Sequence, residues 1–460
     1  MKFSHCLKST PLLIALITTS CTLFTPNEDS KQAVKQVIET PESWAIKADQ
    51  YGDNSIKWLE TFNDPMMLKL IAEGKANNFD LQVAAGNMDK AWLLAKQSGA
   101  ALKPNVDLSL GRADSGAVSG GSSSGNFNVN LQLSWELDVW GRIRAGIDAT
   151  KASAQAAEAD YLFAQHSLSA NIAKTYLKVI EAKLQAEITR KNLSILNETM
   201  RITQVKYDNG MSSGQDIALN RANLASAQEQ LIKIEGSQRD AMRALEVLLG
   251  RYPNASLEMP DSLPELPLHP PAGIPAEILE RRPDIVSAER KIASAFNSTA
   301  QAKAARLPKI SLTSKIGGSS SSLSDITSSP NVMWQLGSNL LLPLFDGGKR
   351  KIDVEIATVK QKQAVANYGQ AALTAFSEVE NNLDQGTVLA NRETALSETL
   401  NQSNKAYSIA KLRYKEGETE LLDTLQIQQQ AITAESNLLS IKRTQLEQRI
   451  NLYLALGGSW

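Results

Sequence analysis

Apolar side chains recur along this chain with two different spacings. Between Gly146 and Gly210 there is neither glycine nor proline, and apolar residues return every three to five positions. That spacing predicts one amphipathic helix, which at about 1.5 Å per residue is a rod of roughly 95 Å. A second rod is predicted from Lys349 to Glu416. A helix of such length buries its apolar stripe only by packing against other helices.

The second spacing is the alternation of apolar and polar residues that is typical of a β-strand with two different faces. It predicts four strands, at about residues 105–113, 126–136, 309–317 and 332–343. Loops rich in serine and glycine join the strands in pairs, and a shorter helix precedes each pair, from Pro65 to Leu102 and from Pro275 to Leu307. Pro104 and Pro308 end these helices because proline cannot continue one.

This order of elements occurs twice, and the repeat is visible in the residues. Lys206-Tyr-Asp-Asn-Gly210 returns as Arg413-Tyr-Lys-Glu-Gly417, Asp216 as Asp423 and Leu249-Gly250 as Leu456-Gly457, always 207 positions later. The chain is therefore divided into a first repeat over residues 63–252, a linker rich in proline over 253–275 and a second repeat over 276–460.

The N-terminus has the pattern of an export signal. Lys2 and Lys8 precede the apolar run from Pro11 to Ile17, which predicts a signal peptide over residues 1–20. No later segment is long and apolar enough for a transmembrane helix. Cys21 at the cleavage point resembles a bacterial lipobox cysteine, so lipidation of Cys21 and a lipid-anchored tail over 21–62 are predicted. The alternative is an ordinary signal with an incidental cysteine.

Composition excludes several classes of function. Charged residues make up 21% of the chain and the formal charge is −1, so the chain has no excess of positive charge that would attract nucleic acid. His166 and His269 have no cysteine or paired carboxylates at ligand spacing, and phosphate-binding, hydrolase and zinc-protease motifs do not occur. We therefore expect no enzyme activity, no cofactor and no metal.

Four short strands do not close into a barrel alone, and an open sheet edge in a membrane leaves backbone groups unsatisfied. Three copies of the chain would supply twelve strands, which is within the range of known barrels. The predicted fold is thus mainly α with a small β-barrel part: a long helical barrel and four transmembrane strands per chain, completed by trimerisation. A secreted helical protein with two hairpins, or a coiled coil, fits the same pattern.

Several stretches of sequence resemble the TolC-type outer-membrane factor family, in particular its lipoprotein branch. They are Phe62-Asn-Asp-Pro65, Ala76-Asn-Asn-Phe-Asp-Leu-Gln82, Ser134-Trp-Glu-Leu-Asp-Val-Trp-Gly-Arg142, Arg281-Arg-Pro-Asp-Ile285, Pro343-Leu-Phe-Asp-Gly-Gly348 and Leu454-Ala-Leu-Gly-Gly-Ser-Trp460. The resemblance implies a homotrimer in the bacterial outer membrane, with its helices in the periplasm. It also implies a periplasmic adaptor protein and an inner-membrane resistance-nodulation-division pump as partners, and passive export of drugs or other toxic small molecules. A type I secretion conduit and a structural helical lipoprotein are the alternatives.

The resemblance further implies a gate at the periplasmic end. It places Asp216, Tyr414 and Asp423 in this gate, beside the turn glycines Gly210 and Gly417. A carboxylate that accepts a hydrogen bond from the Tyr414 hydroxyl across helices would be a weak link, and three copies of Asp423 would form a ring that attracts cations. Simple N-capping is the alternative role for both aspartates. The exported substrate is not indicated.

Overall fold

The computed structural model describes residues 25–38, 40–46, 58–116, 118, 124–270, 273 and 275–458. The predicted signal peptide and Cys21 lie outside these described residues. The helices are α1 (Pro26–Val37), α2 (Pro65–Asn77), α3 (Phe79–Gly99), α4 (Arg142–Asp208), α5 (Gly214–Leu248), α6 (Pro275–Arg281), α7 (Pro283–Ala304), α8 (Lys349–Glu416) and α9 (Leu421–Ala455). Within the described residues, no helix combines the length and hydropathy needed to cross a bilayer.

The strands are β1 (Asn105–Ser115), β2 (Ser124–Leu137), β3 (Lys309–Ser320) and β4 (Val332–Leu341), in one antiparallel sheet of order β1-β2-β3-β4. The first three strands extend beyond the predicted segments into the serine- and glycine-rich loops, and the fourth ends two residues earlier. The prediction of a mainly helical chain with a small sheet is confirmed.

Rows of paired residues run across this sheet, and neighbouring rows differ in polarity. One row is apolar and exposed: Leu108, Leu131, Ile316 and Trp334. The adjacent row is polar: Asp107, Gln132, Lys315 and Gln335. Since successive side chains of a strand point to opposite faces, the sheet has one apolar face and one polar face. Large exposed apolar surface of this kind indicates contact with something other than water.

Both shorter helices of the sequence prediction are wrong in one respect, because each is divided in two. Asn78 has an extended backbone between α2 and α3, and its side chain accepts a hydrogen bond from Leu81 N at 2.9 Å while donating to Leu248 O at 3.0 Å. Asn78 thus caps the helix that follows it. Arg282 separates α6 from α7, where Pro283 disfavours a helical conformation for the preceding residue.

The chain forms two compact units, and each contains segments from both repeats. Within the described residues, unit 1 comprises residues 25–38, 86–159 and 286–371, and it includes α1, most of α7 and the sheet. In this unit Asn297 of α7 donates to Asn27 of α1 at 3.1 Å. Thr25 and Pro26, at the start of α1, share a 330 Å³ cavity with Lys303 in the last turn of α7. The start of α1 therefore lies beside the point where α7 leads into β3.

Unit 2 comprises residues 40–85, 160–285 and 372–460 and has a continuous hydrophobic core. Trp58 stacks on Tyr453 with their ring centroids 5.5 Å apart, so that early and late segments of the chain meet in this core. Tyr176 is fully buried and its hydroxyl donates to Asp64 Oδ2 at 2.8 Å. The other carboxylate oxygen of Asp64 accepts from the backbone at the start of α2, so this one side chain both caps a helix and fixes it to the core.

Candidate functional site

The predicted gate residues lie in unit 2, at the two turns that connect long helices. One turn joins α4 to α5 and contains Gly210, and the other joins α8 to α9 and contains Gly417. These glycines have φ values of +74° and +83°. Backbone hydrogen bonds from Met211 N to Lys206 O and from Glu418 N to Arg413 O close both helix ends in the same way. This is a Schellman motif, which requires a left-handed residue and therefore favours glycine.

Asp216 is part of a helix cap. Its Oδ2 atom accepts hydrogen bonds from Ser213 N at 2.9 Å and from Ser212 Oγ at 2.8 Å, while its own backbone N–H donates to Ser213 Oγ at 3.2 Å. Ser213 is thus the N-cap residue of α5, and Asp216 is the acidic partner in a capping box. The bond from the Ser213 backbone, together with those from the serine hydroxyls, holds the pKa of Asp216 below its ordinary value.

Asp423 differs from Asp216 although the two occupy the same position in the repeat. The N-cap position of α9 is Glu420, which makes no side-chain cap bond, and Asp423 lies exposed in the first turn. Glu418 is exposed in the same turn. The turn between α8 and α9 therefore presents carboxylates to solvent at a helix N-terminus, where negative charge is favourable.

Tyr414 is buried in the last turns of α8, with 6% of its surface exposed. Its hydroxyl lies 2.9 Å from Thr203 Oγ1 on α4. Because Thr203 donates its only hydroxyl proton to Thr199 O at 2.8 Å, the tyrosine is the donor in this bond. Asn220 of α5 also donates to Thr203 Oγ1, at 3.4 Å. Thr203 and Asn220 are fully buried, so this polar network joins three helices inside the protein.

The predicted partner of the Tyr414 hydroxyl was a carboxylate, and within the described chain its partner is Thr203 instead. Asp216 acts on Tyr414 electrostatically: burial raises the pKa of Tyr414 above its ordinary value, and the negative charge of Asp216 raises that pKa further. Tyr414 belongs to a buried hydrophobic cluster whose other members are Leu196, Ala227, Leu421 and Leu425. Burial thus protects the tyrosine–threonine bond from water and strengthens it.

Lys206 completes the contact between α4 and α8. Its ammonium group lies 4.1 Å from the centroid of the Tyr414 ring and also donates to the main-chain oxygen of Tyr414. That carbonyl is near the C-terminal end of α8, where a positive charge is favourable. Sequence reasoning missed Thr203, Asn220 and Lys206, since nothing in a helical pattern indicates which polar residue of one helix meets which residue of another.

A cavity of about 550 Å³ lies between α4, α5 and α9 in the same unit. Its polar lining consists of amides and hydroxyls, among them Gln185, Asn192, Asn223, Gln230 and Gln428. Gln428 donates to Asn192 Oδ1 at 2.7 Å. The lining includes no carboxylate, histidine, cysteine or lysine, so it offers no acid–base pair.

The sequence matches one protein family in two blocks. The family model described as "Outer membrane efflux protein" matches residues 70–251 and 274–458. Residues 252–273, which are rich in proline, separate these blocks.

Individual proteins are similar over nearly the whole chain. The pyoverdine export outer membrane protein OpmQ of Pseudomonas aeruginosa is 29% identical over 441 residues, which is 92% of each chain. The cation efflux system protein CusC of Escherichia coli is 28% identical over 457 residues, 98% of this chain and 99% of its own. The structure of the outer-membrane channel OprN superimposes with a TM-score of 0.84 at 28% identity, covering 92% of this chain and 98% of that one.

Proposed function

Because the chain belongs to the outer membrane efflux protein family, we propose that the turn region around Tyr414 is the periplasmic gate of an export duct. The protein is an outer-membrane channel of a tripartite efflux system. It works as a trimer, together with a periplasmic adaptor protein and an inner-membrane pump. The sheet contributes four strands per protomer, and its exposed apolar row is suited to face lipid.

The observation that carries the gate proposal is the buried bond between Tyr414 and Thr203. This bond and the Lys206 contact hold the end of α8 against α4, next to both turns. Asp216 stabilises the first turn of α5 through its capping box, and Asp423 contributes an exposed negative charge at the neighbouring turn. In this proposal these contacts keep the periplasmic end of the duct closed, and the duct opens when the ends of α4 and α8 separate.

We propose a passive role for the chain in transport. A duct of this kind performs no chemical step, because the inner-membrane pump supplies the energy. The relatives are named for export of pyoverdine and for cation efflux, so small solutes or ions are the proposed class of cargo. The exposed carboxylates of Glu418 and Asp423 would favour cations at the gate.

We also propose that Cys21 carries the lipid anchor. Thr25 is four positions after Cys21, a reach of at most about 14 Å. Thr25 lies beside the end of α7, and α7 is followed by β3 after a short connection. An acyl group on Cys21 would therefore reach the membrane at the level where the strands begin.

Single-channel recording in a planar bilayer tests the duct and the acidic ring together. Purified trimers should show a small conductance with preference for cations. Asp423→Asn should lower the ratio of potassium to chloride permeability. Asp240→Asn is the matched control, since Asp240 is an exposed aspartate of α5 outside the turn region that pairs with Arg243 three residues away.

Two results would contradict the proposal. Well-folded trimers that never conduct would exclude an export duct. A permeability ratio that is the same in wild type and Asp423→Asn would exclude a gate ring formed by this residue, while leaving the duct intact.

A further inference from the structure

The contact between Lys206 and Tyr414 joins the two repeats of one chain. Lys206 is on α4 of the first repeat and Tyr414 is on α8 of the second. Each has an equivalent 207 positions away, because Lys206 corresponds to Arg413 and Tyr414 corresponds to Tyr207. Arg413 and Tyr207 are again a cation and an aromatic ring near helix ends, so they could form the same type of contact.

Within one chain these equivalents do not meet in a buried contact. Tyr207 is 47% exposed, whereas Tyr414 is 6% exposed. Arg413 is exposed in the last turn of α8, and its helix end is closed by the same Schellman motif as that of α4. One protomer thus presents a cation at the end of its second repeat and an exposed ring at the end of its first.

A trimer of a two-repeat chain arranges the repeats alternately around one axis. Within one chain, the first repeat contacts the second repeat. In the trimer, the second repeat of that chain makes the equivalent contact with the first repeat of the next chain. We propose that Arg413 of one protomer lies over the ring of the partner subunit's Tyr207, as Lys206 lies over Tyr414. This second contact closes the ring of helix ends between protomers, and it rests on the gate position given under the proposed function.

The two kinds of contact differ in their polar support. Thr203 and Asn220, which hold the Tyr414 hydroxyl network, correspond to Ala410 and Ile427 in the other repeat. Neither replacement can accept a hydrogen bond from a tyrosine hydroxyl. The contact between protomers therefore depends on the cation and the ring surface, and it is weaker than the contact within a protomer.

The Tyr207 ring is also less tightly packed than the Tyr414 ring. Leu421, which belongs to the same hydrophobic cluster as Tyr414, corresponds to Gly214, and the Tyr207 ring lies 4.0 Å from a Cβ position built on that glycine. A small residue at this position leaves one side of Tyr207 open. An arginine side chain from the next protomer can occupy that side.

Cysteine cross-linking of the full chain in the outer membrane tests the proposal. Tyr207→Cys combined with Arg413→Cys, treated with a short bis-methanethiosulfonate reagent, should give covalent dimers and trimers on a denaturing gel. Lys206→Cys combined with Tyr414→Cys is the matched control and should link only within a chain. The single variant Tyr207→Cys is a second control, because any cross-linked product that it gives would have to form without a cysteine at position 413, for example through Cys21.

Recordings of open probability in a planar bilayer provide a second readout. Tyr207→Leu and Arg413→Gln should each raise the time spent open roughly tenfold, because three contacts are lost per trimer. Tyr207→Phe should behave like wild type, since the hydroxyl has no part in the contact. The double variant Tyr207→Leu with Arg413→Gln should open no more than either single variant.

The outcomes separate this inference from the proposed function. Trimers that yield no cross-link between chains, or a Tyr207→Leu channel with wild-type open probability, would overturn the contact alone. Protein that never assembles into trimers would overturn both the contact and the proposed duct.

Discussion

Replacing Thr203 by valine removes one hydroxyl from the buried contact between α4 and α8 while keeping the side-chain volume nearly constant. The Tyr414 hydroxyl then loses its acceptor, and the Asn220 amide loses a partner in the same place. Since all three residues are buried, water does not replace the lost bond. If these bonds hold the gate closed, the variant should open more readily than wild type.

The size of the effect follows from the number of contacts. A buried hydrogen bond contributes about 1 kcal/mol net, and an unpaired buried hydroxyl costs about 1–3 kcal/mol. Three protomers open together, so the closed state should lose about 3 kcal/mol or more relative to the open state. That difference is roughly a 150-fold shift in the ratio of closed to open channels.

The assay is the open probability of single trimers in a planar bilayer, and the control is Thr199→Val. Thr199 lies one turn earlier on α4, is also buried, and its hydroxyl donates only to Ile195 O of its own helix at 3.0 Å. This control changes the same atoms without touching the contact between helices. The double variant Thr203→Val with Tyr414→Phe should open less than Thr203→Val alone, because no tyrosine hydroxyl is left unpaired.

Equal open probability in Thr203→Val and Thr199→Val would refute the reasoning. The tyrosine–threonine bond would then be a feature of helix packing in both states, and the gate would have to lie elsewhere.

Three further predictions concern other residues. Asp216→Asn should lower the thermal unfolding temperature near neutral pH. Hydrogen bonds from Ser213 hold the pKa of Asp216 below its ordinary value, so the stabilisation disappears as pH falls through the folded-state pKa. The unfolding temperatures of wild type and variant should therefore converge below about pH 4. Cys21→Ala should abolish incorporation of labelled palmitate, and labelling at the wild-type level would exclude the anchor. Tyr176→Phe leaves Asp64 Oδ2 without its 2.8 Å donor and should lower the free energy of unfolding by about 1–3 kcal/mol in denaturant titrations.

Periodicity alone was enough to predict the long elements of this fold. The rod from Lys349 to Glu416 begins and ends at the predicted residues, since a long run without proline and a glycine at C′ leave few alternatives. The breaks at Asn78 and Arg282 were missed, although Pro283 gives a local signal for the second one. The first depends on a side chain that reaches Leu248, far away in sequence.

The site was predictable as a location but not as a set of contacts. Repeated Gly210 and Gly417 marked both turns, and the structure places Tyr414 beside them. Asp216 and Asp423 differ because Ser213 occupies the N-cap position before α5 and Glu420 occupies the one before α9. The sequence carries this signal, since serine is a preferred N-cap residue, but the match between the repeats led to the same prediction for both aspartates. Their roles in gating stay predictions.

The division of the chain into two discontinuous units has a consequence for the order of folding during export. Residues near the N-terminus of unit 2, such as Trp58, complete their core only when Tyr453 arrives. A chain that crosses the inner membrane from its N-terminus therefore has to remain unfolded until its last residues have emerged. During that interval the apolar strands are exposed to water, so a chaperone that holds unfolded chains should be required before the trimer forms.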